Sequence, residues 1–240
     1  MPTLKESVYE LCGEVASEFQ DWSFVAGLFK NKALKHSTRV IDPGFSFARD
    51  STPLQPAIRI DHKGSMSLFK KLNGYEFPTS IVTFQRIPQL LTHFPEKLRL
   101  VCTILGDKAT HISSLGPSGG QALEQMIDVT EARPVLRAML LDGIDLIGRF
   151  YDFSSEDSFL RNFPPKYTTR SDKSPYDEFE GHKGVMVCIV HALLGDFDFT
   201  ENYASDRYPT IFPKRTRELA ALVAALPELR DSYARTGVAR

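Results

Sequence analysis

The sequence predicts an α+β protein, and three observations carry that expectation. A T-x-x-E capping box, Thr3 with Glu6, opens a helical apolar pattern at the N-terminus. Residues 22 to 105 then hold short, alternating, β-prone runs. After Leu115 the apolar spacing becomes helical and stays so. Strands followed by helices, rather than strands interleaved with helices, indicate segregated layers. The expected organisation is a helix plus antiparallel sheet over 1–115 and a helical portion over 116–240, sharing one core as one continuous domain.

Each element has its own warrant. In the first helix, Leu4, Val8, Leu11, Val15 and Phe19 recur at helical spacing. Trp22 to Phe29 reads as one β-prone run, and Thr38 to Ile41 and Phe45 to Ala48 as two more. Between those two, Asp42-Pro43-Gly44-Phe45 places Pro and Gly as a type II turn requires. Ala57 to His62 alternates, Ile58 and Ile60 against Arg59 and Asp61, as a half-buried antiparallel strand does. Ile81 to Phe84, Leu98 to Leu105 and the short His111 to Ser114 are further candidates.

In the second half, one helix is expected from near Gly119 and another over Glu131 to Leu141. Pro134 is tolerated near its first turn, and Ile144 to Phe150 is compatible with a continuation past Gly143. Ser154 and Asp157 form an S-x-x-D box that opens a short helix through Phe163. Residues 164 to 180, interrupted by Pro164, Pro165 and Pro175, read as loop. Val185 to Leu194 is apolar on nearly every side, so this helix should be central and buried, with Gly195 ending it. Asp198 and Glu201 are placed to cap the next helix. Leu219, Leu222, Val223, Leu226 and Leu229 mark an amphipathic terminal pair around Pro227.

Composition narrows the function classes. A hydrophobic fraction of 42% and a charged fraction of 25% belong to a folded globular chain, not a disordered one. A net charge of −1 argues against binding nucleic acid by overall charge. The longest apolar run is too short for a bilayer and no apolar segment follows Met1, so no membrane association is expected. Cys12, Cys102 and Cys188 sit among apolar neighbours without a CxxC pair, as reduced thiols in a cytoplasm do.

The sharpest motif is Gly116-Pro117-Ser118-Gly119-Gly120, a G-x-S-x-G. In serine hydrolases that spacing lifts a hydroxyl clear of a strained turn beside an oxyanion-binding N–H. Ser118 and Gln121 also form an S-x-x-Q capping box, and the parallel βαβ framework of a nucleophile elbow is not visible upstream, so capping is favoured. A hydrolase would need Ser118 with an acid and a histidine such as Asp145 and His182 or His191. The same glycines lack the lysine of a phosphate-binding loop, and no cofactor is expected. His36, His62, His93, His111, His182 and His191 show no metal-ligand spacing. His191, inside the apolar helix, reads as a hydrogen-bonded core residue, and Asp196-x-Asp198-x-x-Glu201 lacks the glycine and span of a calcium loop, so no metal is expected.

Charge is unevenly spread. Residues 142 to 206 carry thirteen acidic against six basic side chains, a balance of −7, whereas 1–141 stand at +2 and 207–240 at +4. Several of these acids, including Asp172, Asp177 and Glu178, flank a proline-interrupted stretch bearing Tyr167, Tyr176 and Phe179. Acids around aromatics suit a surface that docks onto a basic partner, with charge speeding encounter and aromatics anchoring. Capping of helix N-termini and a solvated face account for the same charges equally well.

Three stretches carry a resemblance. They are Asp142-Gly143-Ile144-Asp145-Leu146-Ile147-Gly148-Arg149-Phe150, the serine-capped segment Ser154 to Phe163, and Cys188-Ile189-Val190-His191-Ala192-Leu193-Leu194-Gly195-Asp196-Phe197-Asp198. Together they resemble the helical half of small uncharacterised bacterial α+β proteins, some of which are immunity proteins encoded beside secreted toxins. The resemblance implies a cytoplasmic, non-enzymatic inhibitor that sequesters a cognate protein toxin, and it carries no fixed contact residue with it. The leading expectation is therefore an interaction protein of this type; the alternative is a hydrolase using Ser118.

Overall fold

A computed structural model describes residues 2–76, 82–85, 92–108, 110, 123–161, 177–207 and 216–239. Its α+β order is the expected one: an N-terminal helix, a sheet with antiparallel pairing, then helices through the C-terminal half. The chain forms two compact units, each discontinuous in sequence. The first takes Met1–Ala33, Thr38–Ile60 and Thr83–Phe150; the second takes Leu34–Ser37, Asp61–Val82 and Tyr151–Arg240.

In the first unit, α1 (Leu4–Ser17) starts at the capping box. The Glu6 N–H donates to Thr3 Oγ1, and the Thr3 N–H donates back to the Glu6 carboxylate at 2.7 Å. Its buried face is Val8, Cys12, Val15 and Ala16. Trp22 to Phe29 is not one run but the beginning of a hairpin, β1 (Trp22–Val25) and β2 (Leu28–Asn31). Ala26 and Gly27 turn the chain with φ of 54° and 79°, the left-handed pair a tight hairpin needs. An alanine at the first of these positions hides the turn from a reading by residue type.

The sheet order is β1-β2-β3-β5-β6, with β3 at Ser37–Asp42, β5 at Ala57–His62 and β6 at Val82–Gln85. β1/β2 and β2/β3 pair antiparallel, and Phe29 opposite Ile41 places two buried side chains across one register position. Ile58, Ile60 and His62 make the buried face of β5, as the alternation requires.

A second sheet, β4-β7-β8, comprises Ser51–Pro53, Thr103–Leu105 and Met126–Asp128. Two expectations are corrected here. β8 is a strand after Leu115, and it pairs parallel with β7. Phe45 to Ala48 is not a strand: Phe45 and Phe47 turn inward on the Tyr9 ring instead. Leu98 to Leu105 likewise divides into a 3-10 turn, Glu96–Leu98, and the short β7.

α3 (Ala132–Phe150) runs unbroken through Gly143, where an added Cβ would collide with the Ile41 side chain. The glycine therefore serves the close approach of helix to strand rather than a helix end. Arg133 and Arg137 of α3 reach Glu18 beyond the end of α1, at 2.9 and 2.7 Å.

The second unit is helical. It contains α2 (Lys63–Asn73), α4 (Glu156–Arg161), α5 (Asp177–Leu193), α6 (Phe197–Asn202), a π-helical turn over Tyr203–Arg207, and α7 (Thr216–Thr236). The sequence pattern does not announce α2, because the strand texture of the first half surrounds it. α5 is the central element and packs on α2, α6 and α7. Val185 to Val190 and Ala192 are all buried, as the all-round apolar pattern predicts. Gly195 ends this segment with φ +84°, and a Cβ there would stand 2.6 Å from the Tyr233 ring.

Local caps differ from the expected ones by a residue or two. Ser155, not Ser154, accepts from the Ser158 N–H at the start of α4, and Asp196 rather than Asp198 caps α6. The expected terminal helix pair is one helix that carries Pro227 on its exposed side. The strand expected at 111–114 and the helix start near Gly119 lie outside the described residues. Among the described residues no helix is long and apolar enough to cross a membrane.

Candidate functional site

Ser118 and its G-x-S-x-G lie outside the described residues, as do Tyr167, Asp172 and Tyr176. Asp177, Glu178 and Phe179 belong to the first turn of α5 rather than to a loop. The acid and histidine of the hydrolase alternative each have another partner. Asp145 Oδ2 bonds His93 Nε2 at 2.9 Å, and His191 Nδ1 bonds Asp196 Oδ2 at 2.9 Å. The His191 ring also stacks on Phe199 with centroids 3.7 Å apart, which fits the core histidine read from the sequence.

Several acids of the −7 segment are committed to the fold itself. Asp142 and Glu156 accept backbone N–H groups, Asp152 accepts from the Ser154 N–H, and Asp198 and Glu201 share Arg230. The last pairing also explains the calcium-like spacing.

Two arrangements have the geometry of a site. The first is the loop 92–101 of the first unit, organised by Asp142, which is 1% exposed on α3. Its Oδ1 accepts from the Thr92 N–H (2.9 Å), the Thr92 hydroxyl (3.1 Å) and the His93 N–H (2.7 Å), and its Oδ2 from the Phe94 N–H (2.8 Å). Arg99 closes the loop from the other end, its Nε donating to the Phe94 carbonyl and its Nη2 to that of Thr92. Phe94 and Leu98 are buried beneath it. The two residues directly after Arg99 and this clamp are apolar and face solvent: Leu100 is 78% exposed and Val101 49%. The sequence predicts a strand for both, and only burial separates them from Cys102 and Ile104, which are core.

The second arrangement is a cleft of about 560 Å³ within the second unit. His62 lies at its wall, 6% exposed, ending β5 and capping α2: its Nδ1 accepts from the Ser65 N–H at 3.2 Å. Burial pushes the His62 pKa down to about 4, while the Glu156 carboxylate pulls it partly back, so the ring is neutral at neutral pH. With Nδ1 occupied as acceptor, the proton sits on Nε2.

The His36 ring lies 6.3 Å from His62. The segment bearing His36 is pinned by Glu156, whose carboxylate accepts from the His36 and Ser37 N–H groups and from the Ser37 hydroxyl at 2.6–2.9 Å. The half-buried Leu193 and Leu194 supply apolar surface, and the exposed Lys35 and Lys71 stand at the rim. The sequence signal for this site is the alternation of β5. It carries a histidine onto the buried face directly before the Lys63-Gly64 step, where the strand becomes a helix.

No known protein family, curated protein or solved structure matches this chain.

Proposed function

We propose that this protein is a non-enzymatic interaction module, an immunity-type inhibitor that binds and blocks a cognate protein toxin in a bacterial cytoplasm, and that loop 92–101 is a docking element. One observation supports this most: a loop held at both ends by Asp142 and Arg99 exposes Leu100 and Val101 to solvent. A side chain presented by an already ordered backbone loses little entropy on binding. Burying one such aliphatic side chain stabilises a complex by about 1.5–3 kcal/mol. The aromatic and acidic stretch of Tyr167, Asp172, Tyr176, Asp177, Glu178 and Phe179 is proposed as a second contact, with acids that favour a basic partner.

The test is co-expression with the product of the neighbouring toxin gene, followed by titration of the purified pair. The wild-type chain is expected to restore growth, and Leu100→Asp with Val101→Asp to weaken binding at least tenfold, about 1.4 kcal/mol. Failure to protect against the neighbour's product overturns the immunity reading. Protection with unchanged affinity in the double variant removes loop 92–101 from the interface.

A further inference from the structure

We propose that the cleft of the second unit is a binding site for a small amphipathic anion: an aliphatic carboxylate whose chain lies on Leu193 and Leu194 and whose head meets Lys35, Lys71 and the His62 ring. The site is independent of the docking loop.

Its size is the first support. About 560 Å³ falls within the roughly 300–1,000 Å³ of small-molecule sites. Composition is the second. Leu68, Leu193, Leu194 and Val238 supply apolar lining, and Lys35, His36, His62 and Lys71 supply a few polar groups, the mixture such pockets carry. Gly64 leaves room between these groups, since a Cβ there would stand 3.2 Å from Leu193 Cδ1 and 3.4 Å from the His62 ring.

Charge selects the ligand. Among the described residues, neither Lys35 nor Lys71 has an ion pair. The carboxylate that pins the His36 segment, Glu156, has its oxygens taken up by the backbone of residues 36 and 37 and by the Ser37 hydroxyl. The two charged side chains that line the cleft, Lys35 and Lys71, are both positive, which favours an anionic head group. His62 contributes a neutral Nε2–H donor with its tautomer fixed by Ser65, a hydrogen-bond donor without a further charge. The aliphatic side chains of Leu68, Leu193, Leu194 and Val238 in the lining favour a hydrocarbon chain on the ligand.

The experiment uses the full chain and three probes: octanoate, octanol and inorganic phosphate. Binding is followed by calorimetry and by amide shifts in NMR spectra. Octanoate is expected to bind and to shift the Gly64 and Leu194 amides, with octanol at least tenfold weaker and phosphate without effect. Lys35→Glu with Lys71→Glu, both exposed positions, should weaken octanoate at least tenfold while leaving the thermal melt unchanged. Ser67→Trp, at the cleft mouth, should block octanoate as well. Absence of octanoate binding, equal binding of octanol, or undiminished binding in the charge-reversed variant overturns the proposal.

Discussion

Asp142 shows what one buried carboxylate does in this protein. It accepts four hydrogen bonds from three consecutive residues, so it acts as a template on which loop 92–101 is laid. Asp142→Ala would remove the acceptor of three backbone N–H groups, of which that of Phe94 is buried. A buried donor left unsatisfied costs about 1–3 kcal/mol, so the variant is expected to lose about 1–3 kcal/mol in urea melts, with the amides of residues 92–94 losing exchange protection. Counted as charge, Asp142 belongs to an acidic surface. Counted by position, it falls in the buried stripe of α3 with Met139 and Leu146, and that spacing is the signal that places it inside.

His62 makes a second prediction at this scale. Its folded pKa of about 4 lies below the ordinary 6.5, so above pH 6.5 both folded and unfolded rings are neutral and its contribution is fully present. As pH falls from 6.5 toward 4, the unfolded chain binds a proton that the folded one refuses, and stability declines. The loss approaches about 3 kcal/mol near pH 4, and His62→Gln should flatten that slope. Hydrogen bonds hold the carboxyls of Glu6, Glu76, Asp128 and Asp152 below their usual range. Their contributions are lost at lower pH still, so the histidine has its own window.

Among the elements, α5 carries the second unit. Its described side chains from Val185 to Val190 are buried, and the Cys188 carbonyl accepts from the Thr200 hydroxyl of α6. Val187 is 1% exposed, so Val187→Asp introduces a charge with no partner and is expected to cost about 3 kcal/mol or more. A urea midpoint equal to that of the parent would remove α5 from its central place.

This helix is plain in the sequence because an apolar run of that length leaves no other reading. α2 is not, although Leu68, Phe69 and Leu72 have helical spacing. Its cap is a histidine rather than Ser, Thr, Asp or Asn, Gly64 sits in its first turn, and it continues from β5 without a loop. The hairpin at Ala26-Gly27 is hidden for the matching reason, a residue type its turn disfavours. Where a position violates the local preference, tertiary packing decides, and the sequence pattern alone misleads. The same holds for the cleft and the docking loop, which consist of exposure and approach rather than of motif.

At the scale of the whole molecule, the three cysteines report on how the two units unfold. Cys12 and Cys102 lie in the first unit and Cys188 in the second, at 0%, 1% and 0% exposure. Burial pushes the Cys102 thiol up to about 12 and raises those of Cys12 and Cys188 as well, so none is a thiolate at neutral pH. In the native state all three should resist a disulfide reagent, and in urea all three should react. The chain passes from one unit to the other inside β3 at 37/38, inside β5 at 60/61 and inside β6 at 82/83. The backbone runs on through a strand at each of these points, so unfolding is expected to be one cooperative event. Pulsed alkylation with mass spectrometry should therefore give one shared midpoint for Cys12, Cys102 and Cys188. If Cys188 were labelled at a distinctly lower urea concentration than the other two, the helical unit would be a separate folding body, and the strands crossing the boundary would be hinges rather than couplings.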